Sequence, residues 1–349
     1  MHIRFPIFLL LSSAAFSLAH AASYAKVRGH DISSSIVLEN AGIEFKLNGV
    51  KTPLEEILAN GGANYVRSRL LVNPSDGNYN LQYNLKLGKK AVKAGLGFYL
   101  DIHYSDTWAD PGHQAVPAKW PKDVKNLTNT VYQYTKDAIR EFANEGVNVS
   151  MVSIGNEISN GFLWPVGTIK TFGNIVKLFQ AGAKGARDGN PSHPPRIMVH
   201  LNNGFDIALQ EWWYSTAFSF GLRSSDFDIM AISFYPYNHQ ATFEGLNATA
   251  TALVTKYEKD IVVAETDWPA TCGSNVVLSE RSIPHTLAGQ MEWVKGLNDV
   301  LVKVPGGHGL GIFYWEPAFL WNAGLDSPCD DELLFDASGN AYSSIKIFT

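Results

Sequence analysis

Short apolar segments alternate with longer helical patterns along most of the chain. Eight segments rich in β-branched and other apolar residues have the length and composition of buried strands. They span residues 27–32, 64–71, 97–103, 149–155, 196–201, 227–234, 261–264 and 309–315. Continuous apolar runs of this kind are typical of parallel sheets that are covered on both faces. The pattern therefore predicts an α/β protein with a parallel sheet.

Helical patterns fill most of the intervals between these strands. They span residues 53–60, 83–94, 128–145, 168–188, 241–259 and 284–304. Proline at the start of some of them and glycine just past the end of others agree with helix punctuation. Eight strand and helix units in one chain favour a (β/α)8 TIM barrel with a single catalytic domain over residues 22–349. The alternative, an open doubly wound sheet, is disfavoured because no Gly-x-Gly-x-x-Gly loop follows a strand.

Composition narrows the class of protein without naming a function. The 349 residues are 46% hydrophobic and 17% charged, with a net charge of -5, which is typical of an ordinary soluble globular chain. Lysine and arginine are scattered, so nucleic acid is excluded as an expected partner and a neutral partner is favoured. We expect a monomer.

The first 21 residues have the pattern of a secretory signal peptide. Arg4 precedes an apolar stretch over 5–18, and Ala19-His20-Ala21 is a small-x-small cleavage site. The apolar stretch is too short for a transmembrane helix, and no later one is long enough, so we predict a secreted, extracellular protein without membrane association. An oxidising compartment makes Cys272 and Cys329 candidates for a disulfide. Three sequons would permit N-glycans, at Asn126, Asn148 and Asn247.

Two strands end on a glutamate. The fourth strand ends in Gly155-Asn156-Glu157, and the seventh, a β-branched run, ends in Glu265. In a (β/α)8 barrel the chemistry lies at the carboxyl ends of the strands, so both carboxylates should face one cleft. Glycoside hydrolysis needs such a pair. A single glutamate of this kind would more simply be a helix-start carboxylate or a salt-bridge partner.

Four stretches at strand ends carry a resemblance to a known family. They are Asp101-Ile102-His103-Tyr104-Ser105-Asp106-Thr107-Trp108-Ala109-Asp110-Pro111, Gly155-Asn156-Glu157-Ile158, Ser233-Phe234-Tyr235-Pro236 and Glu265-Thr266-Asp267-Trp268-Pro269. Together they resemble glycoside hydrolase family 53, the endo-β-1,4-galactanases, in its fungal type. The His103–Pro111 stretch is specific to that family, and the likeness covers essentially the whole mature chain. The asparagine-glutamate pair with a glutamate on strand seven is shared with the wider clan.

The resemblance implies a retaining mechanism on β-1,4-galactan or type I arabinogalactan, a polysaccharide of pectin side chains. Glu157 would be the general acid/base and Glu265 the nucleophile. In a retaining pair the two carboxyl groups lie roughly 5 to 5.5 Å apart. Glu157 must hold a proton near the working pH, whereas Glu265 must stay ionised.

The resemblance also implies supporting roles for residues that we predict to bind substrate or the nucleophile. Asn156 is similar to the asparagine that binds the sugar 2-hydroxyl. Tyr235 is similar to the tyrosine that holds the nucleophile, and Arg67 to the arginine that keeps it charged. His103 ends strand three, where a polar cleft residue is expected; the alternative is a hydrogen-bonded histidine without contact to sugar.

Three of the nine tryptophans lie at strand ends where an aromatic ring could stack on a sugar. They are Trp108, Trp268 and Trp315, and we expect Trp315 to contact the sugar next to the cleaved bond. Trp293 lies within a helical pattern and should belong to the core. The other candidates lie in loops or at the edges of helices and could equally be packing residues: Trp120, Trp164, Trp212 and Trp213.

The sequence indicates neither a cofactor nor a catalytic metal. His103 and His200 lie in or at the end of strands, but neither has a second ligand at the spacing of a metal site. Two alternatives to a galactanase stay open. One is a catalytically silent barrel that binds galactan, and the other is a relative from the same clan that acts on mannan, xylan or glucan.

Overall fold

Eight parallel strands close into a barrel in the computed structural model, which describes residues 24–349. We number them β1 to β8: Val27–Asp31, Tyr65–Leu70, Gly97–Ile102, Val149–Ile154, Arg196–Leu201, Ile229–Ser233, Asp260–Thr266 and Gly309–Tyr314. Each strand pairs with its neighbours in sequence, and β1 pairs with β8 to close the barrel. The predicted (β/α)8 barrel is confirmed. The signal peptide predicted for residues 1–21 lies outside the described residues.

Eight helices, α1 to α8, accompany the strands in the described part of the chain. They are Ser35–Asn40, Leu54–Asn60, Leu81–Lys93, Val124–Asn144, Phe172–Gly189, Ile207–Ser219, Phe243–Tyr257 and Leu287–Leu301. A two-stranded hairpin, Lys46–Leu47 with Val50–Lys51, lies between α1 and α2. Six of the helices match the predicted ones within a few residues. The sequence patterns missed α1 and α6.

The helix α6 was missed because its apolar residues do not form one stripe. Trp213 and Tyr214 are buried, whereas Trp212 on the same helix is 44% exposed. Apolar residues spread around a helix give no 3.6-residue period, which is the signal that predicts an amphipathic helix. The placement of Trp212 and Trp213 in loops or at helix edges was therefore wrong, since both lie within α6.

Side-chain caps fix where several helices begin. At each such start a side-chain oxygen accepts a hydrogen bond from the backbone N–H three residues later, which satisfies a donor that the helix leaves free. The capping residues are Asn80, Asp123, Asp206, Thr242 and Thr286, at the starts of α3, α4, α6, α7 and α8. These polar residues end the loops that leave the cleft side of the barrel.

Two groups of buried apolar side chains form the core. The larger lies between the sheet and the helices and includes Trp293, as predicted. The smaller includes Tyr99, Met151, Met198 and Phe313, from four different strands, and we place it inside the barrel. Further along three of these strands, the inward-facing positions become polar, with Asp101, Ser153 and His200. Within residues 24–349, no helix is both long enough and apolar enough to cross a membrane.

Candidate active site

A buried arginine organises the inward face of the barrel at the carboxyl ends of the strands. Arg67 on β2 is entirely buried. Its Nη1 donates to Asp31 Oδ2 at 2.6 Å, and its Nη2 donates to Asp101 Oδ2 and Glu265 Oε1, each at 2.6 Å. These partners lie on β1, β3 and β7. Burial of charges is tolerated here because each one is paired and hydrogen-bonded.

Glu265 is held by donors on both of its carboxylate oxygens. Arg67 binds Oε1, and the Tyr235 hydroxyl donates to Oε2 at 2.9 Å. Only 6% of the Glu265 surface is exposed. The carboxylate is therefore held in one orientation and can present an oxygen to a substrate atom without reorganisation.

Glu157 follows β4 in a backbone conformation that is unusual for a residue other than glycine. Its φ is 48°, and Gly155 two residues earlier has φ 90°. Such left-handed backbone costs energy and is often found at functional sites. The neighbour Asn156 is fixed on both sides: its Oδ1 accepts from Arg67 Nη2 at 3.0 Å, and its Nδ2 donates to Ala109 O at 2.8 Å. The strand end that carries Glu157 is thus held in place by the loop after β3.

Burial raises the pKa of Glu157 to about 8, and the negative charge of Glu265 adds to this shift. A hydrogen bond with Ser233 and the charge of Arg67 act in the opposite direction but are weaker. The two glutamates therefore have different environments, since Glu265 has a cation at 2.6 Å and Glu157 has no ion-pair partner among residues 24–349. Such a difference between the surroundings of two carboxyl groups is what gives them separate acid and base roles in enzymes.

An open cavity of about 420 Å³ lies next to this pair. It is lined by Glu157, Asn202, Asn203, Phe205, Ser233, Tyr235, Tyr237 and Asn238. Amide and hydroxyl groups with aromatic rings between them are the lining expected for a ligand that is rich in hydroxyl groups. The cavity lies where the loops after β4, β5 and β6 meet.

Aromatic rings form a second wall beside Glu265. The rings of Trp108 and Trp315 meet edge to face at 5.8 Å, and Trp315 meets Tyr235 in the same way at 6.3 Å. Trp108 is 40% exposed. The Arg69 guanidinium lies 4.4 Å from the centre of the Trp108 ring. Trp108 and Trp315 can therefore offer ring surface to a ligand in the cleft.

The prediction that Trp268 stacks on a sugar was wrong. Its side chain is entirely buried, its Nε1 donates to Pro284 O at 3.0 Å, and its ring packs on Trp293 at 5.0 Å between ring centres. The residue points away from the cleft, toward α8. Arg67 was also grouped with the substrate-binding residues, which is wrong because its guanidinium is fully buried, whereas its predicted contact with Glu265 is confirmed.

The environment of His103 favours the alternative reading of that residue. Only 1% of its surface is exposed, and its Nδ1 accepts from the Ala109 N–H at 2.9 Å. Its Nε2 lies 3.2 Å from Asp101 Oδ2, and its ring meets Trp108 edge to face at 5.7 Å. His103 thus supports the loop that carries Trp108.

Asp101, His200 and Glu265 bring potential metal-ligand atoms within 4.8 Å of one another. However, Arg67 Nη2 already donates to both carboxylates. Burial lowers the pKa of His200 to about 4, and its Nε2 lies 2.9 Å from Ser233 Oγ. Because the positive charge that these carboxylates need is supplied by arginine, this donor set does not fit a catalytic metal.

The predicted disulfide between Cys272 and Cys329 is confirmed. It joins the loops after β7 and β8. The asparagines of the three sequons, Asn126, Asn148 and Asn247, have exposed side chains. Asn148 lies in the loop before β4, whereas Asn126 and Asn247 lie in α4 and α7. Glycosylation stays a prediction.

Some residues of the site were not found in the sequence. Asp31 and Asp101 bind Arg67, and Gln114 Nε2 donates to Asn156 O at 2.7 Å. The alternation of inward and outward positions could have found Asp101, because it lies two residues before His103 on the same strand. Gln114 lies in an irregular loop and gives no such signal.

Comparison with known proteins agrees with this geometry. The sequence model of Glycosyl hydrolase family 53 matches residues 27–348. An arabinogalactan endo-beta-1,4-galactanase of Humicola insolens is 45% identical over 327 residues, which cover 92% of this chain and 98% of that protein. An arabinogalactan endo-beta-1,4-galactanase A of Aspergillus niger is 44% identical over 348 residues, covering 97% and 98%.

Solved structures give the same result. One of two fungal beta-1,4-galactanases has a TM-score of 0.90 with this chain at 44% identity, covering 93% of this chain and 99% of that one. The family 53 catalytic domain of Ignisphaera aggregans has a TM-score of 0.83 at 31% identity, covering 93% and 95%.

Proposed function

This chain belongs to glycosyl hydrolase family 53 and is a glycosidase, and from this premise we propose that it is a secreted, endo-acting and retaining β-1,4-galactanase. The observation that carries the proposal is the pair at the cleft: Glu157, whose pKa is raised, and Glu265, which Arg67 and Tyr235 hold in place. The substrate is galactan or arabinogalactan, which the galactanase relatives are named for. Export is supported by the signal-peptide pattern of residues 1–21.

The reaction takes two steps. In the first, a Glu265 oxygen attacks the anomeric carbon, the bond to the leaving oxygen breaks, and Glu157 gives its proton to that oxygen. In the second, Glu157 takes a proton from water, the water oxygen bonds to the anomeric carbon, and the ester to Glu265 breaks. The configuration at the anomeric carbon is retained, and both glutamates return to their starting states. We expect a separation of roughly 5 to 5.5 Å between the two carboxyl groups.

Other residues orient the sugar and the nucleophile. Tyr235 keeps its hydrogen bond to Glu265 Oε2 while Oε1 stays with Arg67. Asn156 Nδ2 has a second hydrogen besides the one given to Ala109 O, and we assign it to the sugar 2-hydroxyl. Trp108 and Trp315 supply ring surface for the apolar face of a galactosyl unit.

A substrate panel tests the proposal. Linear β-1,4-galactan, mannan, xylan and β-glucan are incubated with the enzyme, and released reducing ends are measured. We expect selective activity on galactan and a first product in the β configuration by NMR. Binding without release would support the alternative of a silent galactan-binding barrel. Preferred release from another polymer would support a clan relative with a different sugar, and an α product would contradict retention.

The pH dependence of kcat/KM should report the proton of Glu157. Because Glu157 must be protonated in the free enzyme to act as an acid, activity should fall as pH rises through about 8, by about tenfold per pH unit above that value. The measurement uses galactan over the alkaline range. Glu157→Gln with an aryl galactoside whose leaving group needs no proton is the control, and it should lack this alkaline decline. If kcat/KM of the variant declines at alkaline pH as it does in the wild type, the decline belongs to a group other than Glu157.

A further inference from the structure

Two carboxyl groups that the reaction does not use are buried together beside the cleft. Asp267 lies two residues after Glu265, and Glu332 lies in the loop after β8. Asp267 is 1% exposed and Glu332 is fully buried. Within residues 24–349, neither forms an ion pair. Burying a carboxylate without a cation costs free energy. In a pair of this kind, one carboxyl group is therefore more stable with a bound proton than with a negative charge.

The hydrogen bonds of the pair leave one carboxyl short of a donor. The Tyr237 hydroxyl donates to Asp267 Oδ1 at 2.8 Å and also interacts with Glu332. Ser327 Oγ donates to Glu332 Oε1 at 2.8 Å, and Glu332 Oε2 is buried without a partner. A phenol has one hydrogen to give. Tyr237 therefore cannot satisfy both carboxylates at once, and a proton on the pair supplies the missing donor.

The fold joins the two segments that carry these carboxyl groups. The segments that carry them are joined by the Cys272–Cys329 disulfide. Backbone hydrogen bonds join the same segments, from Ala270 N to Asp331 O at 2.7 Å and from Asp330 N to Thr271 O at 3.0 Å. Tyr314 on β8 donates to the Glu332 carbonyl at 2.7 Å. These links hold the backbones of the two segments close to each other.

The groups that surround the pair do not supply a positive charge. The negative charge of Glu265, on β7, raises the pKa of Asp267, and that of Asp331, in the loop after β8, raises the pKa of Glu332. Tyr235, Tyr237 and Tyr314 are phenols, and Gln290 from α8 binds backbone carbonyls. The His285 ring meets the Trp268 ring edge to face at 6.1 Å between ring centres. Burial and these negative neighbours raise the pKa of Asp267 to about 7 and that of Glu332 to about 9.

We propose that the pair of Asp267 and Glu332 carries a bound proton at neutral pH, and that this proton helps to hold Tyr237 and the disulfide-linked loops at the rim of the cleft. Tyr237 lines the cavity together with Glu157. Its ring also lies nearly parallel to that of Tyr235, at 6.3 Å, and Tyr235 binds the nucleophile. Both carboxyls act as positioning groups, and loss of the proton weakens the support of the catalytic site. The inference concerns stability and does not depend on the identity of the substrate.

Thermal unfolding as a function of pH tests this inference. A carboxyl group whose pKa is raised by folding stabilises the folded protein most at pH values below its pKa in the unfolded chain. This contribution is lost as pH rises through its pKa in the folded protein. For Glu332 the interval runs from its ordinary value of 4.5 to about 9. The unfolding midpoint of the wild type should therefore fall across this interval, with up to about a tenfold change in the unfolding equilibrium constant per pH unit for one proton.

Glu332→Gln should flatten this decline, because the amide resembles the neutral acid and cannot ionise. The variant should be more stable than the wild type at the alkaline end of the interval. Glu157 and Glu316, whose pKa values are also raised, contribute equally to both proteins and cancel in the comparison. The matched control is Asp330→Asn, which removes an exposed carboxylate from the same loop and should leave the wild-type decline in place.

Parallel curves for the wild type and Glu332→Gln would overturn the proposal. Asp267→Asn is a second test, because it removes the other of the two possible charges. The fall of the unfolding midpoint with rising pH should again be shallower than in the wild type. Failure of both amide variants to fold would count against the proposal as well. An amide close in shape to the protonated acid must be accommodated if the native pair carries a proton.

Discussion

Glu265→Gln should reduce galactan hydrolysis by about 10⁴-fold or more while leaving the protein folded. The amide cannot form the ester intermediate, so the two-step route is lost. Folding should survive because Arg67 keeps two charged partners, Asp31 and Asp101, each at 2.6 Å. Reducing ends released from linear galactan measure the activity, and circular dichroism with a thermal melt measures folding.

Glu157→Gln should lose about 10²- to 10⁴-fold on galactan, because its amide cannot protonate the leaving oxygen. On an aryl galactoside with a good leaving group, this variant should still form the intermediate, whereas Glu265→Gln should not. The contrast separates the two roles. Glu292→Gln, which changes an exposed glutamate on α8, is the matched control and should keep wild-type activity. Full galactan activity in either cleft variant would refute the role assigned to that glutamate.

Much of the barrel and both carboxylates of the pair could be predicted from the sequence. Buried parallel strands appear as continuous apolar runs, and Glu157 and Glu265 stand where such runs end. The role of a strand end in a barrel is fixed by topology, so counting strands was enough to bring the two together. This local signal does not depend on how loops pack.

The direction of loop side chains could not be predicted in the same way. Trp108 and Trp268 both follow strands, yet Trp108 is 40% exposed and Trp268 is buried. The difference comes from α8 and the segment before it: Pro284 O, in that segment, accepts a hydrogen bond from the Trp268 indole, and Gly289 on α8 leaves room for the ring. The contacts join residues that are far apart in sequence, and no local pattern records them.

The buried partners of Arg67 were also not predicted from the sequence. Arg67 was predicted to act on the nucleophile, but its partners Asp31 and Asp101 were not identified. Each lies on an inward-facing position of its strand; Asp101 is flanked by the apolar residues Leu100 and Ile102, whereas Asp31 follows His30. A buried charged residue must find a partner, and Asp31 and Asp101 lie on β1 and β3, the two strands that flank Arg67 on β2. The register between these neighbouring strands sets the partners, and no pattern within a single strand records it.

Removal of the Arg67 charge should lower the free energy of unfolding more than any other substitution named here. Arg67→Met leaves Asp31, Asp101 and Glu265 buried without their common cation, and breaking a buried pair costs about 3 to 5 kcal/mol. Urea unfolding at neutral pH measures the loss. Arg140→Met, which removes a half-exposed guanidinium paired with Asp137 on α4, is the control and should cost about 0 to 1 kcal/mol.

The pH dependence of the Arg67→Met effect follows from the same ion pairs. The Arg67 charge, against the opposing effect of burial, holds the pKa of Asp101 below its ordinary value of 3.8. The stability that this pairing contributes is therefore fully present above pH 3.8 and is lost as pH falls through the lowered value. The difference in unfolding free energy between wild type and Arg67→Met should be largest near neutral pH and shrink in acid. An equal difference at all pH values would show that Arg67 stabilises the barrel by packing alone, without its charge.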